Sequence, residues 1–505
     1  MDIITILSSL AFYFLIFWLC NYVIISKLRS RGSGKVPPGP YQFPIIGNLH
    51  QIGSKPHRSY AKLSEIYGPI MSVRLGTKQT VVVSSAEIAR EVLQKNDQIC
   101  SSRGIPIVMH SFNHHNVSMV WLPASTRWRN IRKMSKEHIF STHSLDVSQA
   151  LRQEKLKELR DYVKSCSSSG KTVDIGEAAF TTSLNLISRT LFSVDFANYD
   201  TNSSQELRDI VWGVMKNIGT PNVSDYFPVL QPIDPQGVMR STNSYFQRLF
   251  DIFDGLINER LLIRGGSSET KKNDVLEALL DENMKNESNF NINVLKHMLL
   301  DLFIAGTDTT SGTVEWAMAE LLRNPEKLLT AKEELKRVIG ENGVVQESDI
   351  SRLPYLQVIV KETFRLHPAA PFLVPHKTNE DVQISGYTIP KDTEILVNAW
   401  AIARDEGTWE QAEIFKPERF LESEIDVKGN HFELTPFGAG RRMCPGLPLA
   451  YRMVHLMLAS FIHNIDWKLE GEIRPQDLDM DELFGLTVQK ALPLKAIPTC
   501  GQNTD

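Results

Sequence analysis

Thr435-Pro436-Phe437-Gly438-Ala439-Gly440-Arg441-Arg442-Met443-Cys444-Pro445-Gly446 sets one cysteine among glycines and two arginines, directly ahead of an apolar run from Leu447 that reads as a helix. Glycines let the backbone approach a flat cofactor face closely, and the N-terminus of the following helix lends positive potential that favours a thiolate at Cys444. Arg442 can pair with a carboxylate on such a cofactor. A lone cysteine is more often a small buried hydrophobe, so the neighbours give this thiol its chemistry. The other four, Cys20, Cys100, Cys166 and Cys500, form no CxxC pair, which argues against a zinc site and a disulfide framework.

Outward from this stretch, the 505 residues are 42% hydrophobic and 23% charged, enough apolar content for a large buried core. The 55 Lys and Arg against 59 Asp and Glu leave a net charge of -4, with no global cation excess to neutralise nucleic-acid phosphates. No charged residue interrupts Ile3 to Ile25, long enough for one transmembrane helix. Lys27, Arg29, Arg31 and Lys35 follow it while Asp2 alone precedes it, which places the rest of the chain in the cytosol. Residues 26–46 form a basic and proline-rich hinge, in which Val36-Pro37-Pro38-Gly39-Pro40 favours a semi-rigid strut.

Residues 47–505 read as one catalytic body, mainly α with small β-sheets. Strands are expected at Met71–Leu75, Thr80–Ser84, Val382–Ile389 and Glu394–Asn398, and one long helix from about Ile292 to Arg323. That helix is apolar on several faces and must cross the core, while Asp301, Asp308, Glu315 and Glu320 along it exclude a second membrane span. Asp308 and Thr309 set an acid beside an alcohol, with Gly306 near them, a pairing suited to delivering protons into a dry site. A threonine hydroxyl that bonds back to a carbonyl is expected to loosen the helix there.

The segment carries FxxGxRxCxG at Phe437, Gly440, Arg442, Cys444 and Gly446, and resembles the haem-binding loop of cytochrome P450 enzymes. The resemblance extends through Glu362 and Arg365 in KETFRLHP, Arg419 in PERF, and Ala305 to Thr310 (AGTDTT) on the long helix. It implies the cytochrome P450 fold, haem b with Cys444 as axial ligand of the iron, and oxygen activation with proton delivery by Asp308 and Thr309. Haem-thiolate isomerases and dehydratases commonly lack that pair, which favours monooxygenation. Glu362, Arg365 and Arg419 become a structural trio behind the haem.

Trp128 and Arg132 resemble the family's haem-propionate contacts, an indole donor and a guanidinium one turn apart. His376 stands where relatives often carry arginine, so its contact is expected to be weaker or pH-sensitive. The basic face of Arg127, Arg129, Arg132, Lys133 and Lys136 resembles the docking surface for an acidic electron donor. No GxGxxG fingerprint appears, so NADPH would act through a separate membrane-bound NADPH–cytochrome P450 reductase.

Pro56-His57-Arg58-Ser59, Ala179 to Leu186, Ile425 to Gly429 and Met480 to Thr487 resemble the plant microsomal terpenoid hydroxylases, the family that includes geraniol 8-hydroxylase. This implies an endoplasmic reticulum membrane location and, with O2, hydroxylation of a small hydrophobic metabolite: a monoterpenol first, an abietane diterpenoid second. Hydroxylation of tyrosine or another aromatic is the alternative, and a non-catalytic haem-binding scaffold the alternative of another class. By the same resemblance Ile107, Phe112, Ala305, Phe372, Leu373 and Phe484 would form an apolar substrate pocket.

Overall fold

The computed structural model describes residues 12, 13, 16, 35–199, 203–265, 272–285 and 290–500. The Ile3–Ile25 anchor lies almost wholly outside the described residues, among which no helix is long and apolar enough to cross a membrane. The strut is pinned to the body: Ser72 N donates to Pro38 O at 2.7 Å, and Thr388 N to Lys35 O at 2.9 Å.

Helices dominate. The long helix, Ile292–Arg323, runs through the centre. Asn291 caps it by accepting from Val294 N, and it is buried on several faces, including Phe303, Trp316 and Met318. Its main packing partner is the helix Ile175–Phe192, whose run of small and apolar residues (AAFTTSLNLI) brings two backbones close. One large core fills the space between the long helix, Pro354–Leu366 and Leu447–Ile462. A second lies beneath Ser203–Gly219 and Val238–Gly265.

The sheets are small and peripheral. Five strands run in the order Ile70–Leu75, Lys78–Val83, Glu394–Val397, His376–Lys377, Ser102–Arg103, with only the second and third parallel. Three more, Val173–Asp174, Lys495–Cys500 and Ile465–Leu469, pair at the C-terminal side. The expected single strand Val382–Ile389 is instead a hairpin, Val382–Ile384 with Tyr387–Ile389, because Ser385 and Gly386 both take positive φ and turn the chain. The expected loosening near Gly306 is also absent. Residues 292–323 stay α-helical throughout, although Thr307, Thr309, Ser311 and Thr313 each donate to the carbonyl four residues back.

Behind the site the trio is assembled as a buried network. Glu362 accepts from Arg365 Nε at 2.7 Å and Nη2 at 2.8 Å, from Arg419 Nε at 3.1 Å and from Lys416 N at 2.8 Å. Arg365 also donates to the carbonyls of Ala403, Ala412 and Ile414, so nearly all its donors are used.

Candidate active site

The Cys444 loop is held by backbone contacts that only its glycines permit. Gly440 has φ +64, and a Cβ there would sit 1.9 Å from Leu93 O; Gly438 has φ +68. Cys444 N donates to Phe437 O at 2.9 Å, which closes the loop. The sulfur accepts from the N–H groups of Gly446 and Leu447, at the start of the helix Leu447–Ile462. Burial pushes the thiol up, and those N–H groups and the nearby Arg132 charge oppose it. Metal ligation would complete the stabilisation of the thiolate.

Cys444 opens into an internal cavity of about 320 Å³. The long helix supplies the facing wall with Ala305, Gly306, Thr309 and Thr313, and Ile187, Leu302 and Val214 make it apolar. Phe437 lines it too, edge-on to Phe364 with centroids 5.2 Å apart. One end is basic, formed by Arg103, Arg132 and Arg442 with His376. Among the described residues no carboxylate pairs with any of these arginines; burial and the neighbouring charges push Arg103 well down and Arg442 to about 10. Buried Arg103 Nε and Arg442 Nη1 have no protein partner. Such a cluster calls for anionic groups from a ligand. A flat cofactor bearing two carboxylates and needing one thiolate, haem, fits the donors present.

A model of the cytochrome P450 family matches residues 37–494. The chain belongs to the cytochrome P450 family of monooxygenases. It is 59% identical over 498 residues to cytochrome P450 76T24 of Catharanthus roseus, covering 99% of each chain. It is 49% identical over 499 residues to geraniol 8-hydroxylase of the same plant, covering 99% of this chain and 100% of that one. Carnosic acid synthase of Rosmarinus officinalis is 48% identical over 477 residues, 94% of this chain and 95% of the relative.

The structure of this P450 sorts the expected site residues. Trp128 does not offer its indole N–H to a cofactor carboxylate: Nε1 donates to Met119 O at 3.0 Å, and the ring lies beneath the guanidinium of Arg442 at 4.6 Å. His376 lines the cavity at this cationic end. Burial and the Arg103 charge hold it at about 3, and Nδ1 pairs with Cys100 O at 2.7 Å. Arg103, a residue the sequence analysis did not single out, joins the cationic end. No local motif marks it, since its partners Arg132 and Arg442 are far away along the chain.

Thr309 lines the cavity and donates to Ala305 O at 2.9 Å; Asp308 does not line it. Successive positions on a helix face different ways, so Asp308 turns toward the C-terminal hairpin formed by Glu482–Phe484 and Val488–Lys490. There it accepts from Thr487 Oγ1 at 2.6 Å and from Gln489 Nε2. Burial pushes its carboxyl up and those two donors oppose it. Thr487 itself lines the cavity, so it links the acid to the site.

Of the expected pocket residues, Ala305 and Leu373 line the large cavity and four do not. Phe112 is 42% exposed because the chain kinks there with positive φ at Phe112 and Asn113. Ile107 is tied by its N–H to Asp225 Oδ1 at 2.7 Å. Phe372 and Phe484 are held around the His57 ring and border a separate, smaller cavity.

Proposed function

We propose that this P450 is an NADPH- and O2-dependent monooxygenase that hydroxylates a terpenoid, a monoterpenol such as geraniol before an abietane-type diterpenoid. The observation that carries the chemistry is Cys444, whose sulfur accepts two N–H groups and faces a cavity with apolar walls and a cationic end. The relatives named for geraniol and carnosic acid supply the substrate class.

Cys444 would ligate the haem iron, with Arg103, Arg132, Arg442 and His376 around the carboxylates. When bound, that haem supplies the activation of O2 and the oxidising power. The chain's own residues exclude water and manage protons. Apolar Ile187, Leu302 and Val214 hold the substrate by shape. When protonated, Asp308 would reverse the contact and donate to Thr487 Oγ1, whose own hydroxyl proton then goes to an acceptor in the cavity, where the Thr309 hydroxyl also lies.

Electrons come from NADPH–cytochrome P450 reductase, docking on the exposed side chains of Arg127, Arg129, Lys133 and Lys136. Residues 3–25 anchor the protein in the endoplasmic reticulum membrane with the catalytic body, 47–505, in the cytosol. The test is product formation in microsomes co-expressing the reductase, with NADPH, against geraniol, nerol, abietane dienes and tyrosine. A hydroxylated monoterpenol as best product supports the reading. Selective tyrosine turnover overturns the substrate class, and turnover of a hydroperoxide without reductase overturns the monooxygenase.

A further inference from the structure

The C-terminal hairpin holds the Asp308 carboxyl at both oxygens. Thr487 Oγ1 donates to Oδ2 at 2.6 Å, and Gln489 Nε2 donates to Oδ1. Among the described residues these are the only hydrogen bonds to that carboxyl. Thr487 and Gln489 lie two residues apart where the strand Val488–Lys490 begins, so an extended chain presents both side chains to Asp308 on the long helix. Asp308 is 2% exposed and Thr487 3%, whereas Gln489 is half-buried. Thr487 borders the large cavity and Gln489 does not.

The two donors differ in what they can receive. A hydroxyl donates and accepts, so Thr487 Oγ1 can take a proton from Oδ2 and give up its own. An amide NH2 only donates. A proton on Oδ1 would face that NH2, donor against donor, and the whole amide would have to turn over to accept it. A proton on Oδ2 meets a hydroxyl that needs only to rotate. Burial pushes the carboxyl up, and Arg208, on the helix Ser203–Gly219, is the neighbouring charge that opposes it. Its ion pairs are with Glu315 at 3.6 Å and Asp174 at 3.8 Å, and Lys490, next on the strand, turns to Asp479 O. With no ion pair to Asp308 from either cation, the choice of oxygen falls to the hairpin.

We propose that Gln489 is a positioning residue for proton delivery: by donating to Oδ1 it confines the proton of Asp308 to Oδ2, the oxygen that faces Thr487 and, through it, the cavity. In one transfer the Oδ2–H bond breaks as a bond from that proton to Thr487 Oγ1 forms, and the Thr487 hydroxyl proton leaves for an acceptor in the cavity. Asp308 is then a carboxylate, which a hydronium ion from solvent reprotonates. The inference rests on the monooxygenase reading above and adds the residue that fixes the direction in which the acid gives its proton.

The experiment uses the full-length, haem-loaded enzyme with reductase and follows product formed per NADPH across pH. In Gln489→Glu the two carboxyl groups share one proton on the Oδ1 side at neutral pH, so product per NADPH should fall about tenfold, the worth of one good hydrogen bond, with hydrogen peroxide rising. At acid pH the added carboxyl is neutral and donates to Oδ1 as the amide does, and coupling should return toward that of the wild type. A loss of the same size at every pH marks a merely structural defect and overturns the assignment, as does unchanged coupling. The second measurement needs no turnover: infrared difference spectra of the protonated Asp308 carboxyl, identified by its loss in Asp308→Asn. With the proton on Oδ2, Oδ1 is the carbonyl oxygen, so Gln489→Met should raise the carbonyl frequency more than Thr487→Val does. The reverse order, or no protonated band at any pH where the protein stays folded, overturns the proposal. If the wild type forms no product, the monooxygenase reading falls, and the infrared order alone decides the role of Gln489.

Discussion

Glu362→Gln removes one charge from a network in which Glu362 and Arg365 have no exposed side-chain surface and the Arg419 side chain is 8% exposed. The amide oxygen can keep the Oε1 position, with its contacts to Arg365 Nη2, Lys416 N and Arg419 Nε. The amide nitrogen then faces Arg365 Nε, donor against donor, where the carboxylate accepted at 2.7 Å. Two guanidinium charges remain with no carboxylate between them. Breaking a buried pair in this way costs about 3–5 kcal/mol. The carbonyls of Ala403, Ala412 and Ile414 still solvate Arg365, which puts the expectation at about 3 kcal/mol, roughly a hundredfold in the folded-to-unfolded ratio. Urea unfolding of the haem-loaded protein, followed by far-ultraviolet circular dichroism, should show the midpoint falling. The double variant Glu362→Leu with Arg365→Met should lose less than the two single variants together, because no buried charge is stranded. A loss below about 1 kcal/mol for Glu362→Gln would refute the reasoning and place the pair with ordinary solvated ion pairs.

Four further outcomes are expected. Cys444→Ala should abolish the thiolate-haem absorption while circular dichroism keeps the helical signal; an unchanged spectrum would remove Cys444 as ligand. Thr309→Ala should keep consuming NADPH with less product and more hydrogen peroxide, and Thr487→Val should do the same by cutting Asp308 from the cavity; fully coupled turnover in either would take that residue out of proton delivery. Gly440→Ala forces a Cβ to 1.9 Å from Leu93 O at φ +64, so the loop must shift, and haem content per protein should drop severalfold on purification. The buried His297 and His455 are held at about 3 and about 4, chiefly by burial, so the unfolded chain takes up their protons first. Stability should therefore fall as pH drops from about 6.5, to about 4 for His455 and to about 3 for His297, by up to about 1.4 kcal/mol per pH unit for each, and His297→Phe should make the acid-side slope shallower.

The local pattern of this chain determined the elements and the chemistry of the ligand loop. Gly438 and Gly440 ahead of Cys444 are a local requirement, since positive φ at both and the close backbone approach at Gly440 depend on residue type at each position. The long helix was likewise legible from its periodicity and was placed at Ile292–Arg323, and Glu362 with Arg365 shares one helix face by spacing alone. Orientation and assembly were not legible. Adjacent Asp308 and Thr309 look like a pair in the sequence, yet the helical turn sends one to the hairpin and the other to the cavity. Trp128 looked available as a donor until the chain brought Met119 O to it. Arg103, Arg132 and Arg442, separated by tens to hundreds of residues, meet at one cavity end only in three dimensions. Phe372 and Phe484 were apolar enough for the main pocket, but the His57 ring holds them at the second cavity. Backbone preference and periodicity are properties of neighbours in the chain, whereas which polar group finds its partner, and which cavity a side chain borders, is set by contacts between segments far apart in sequence.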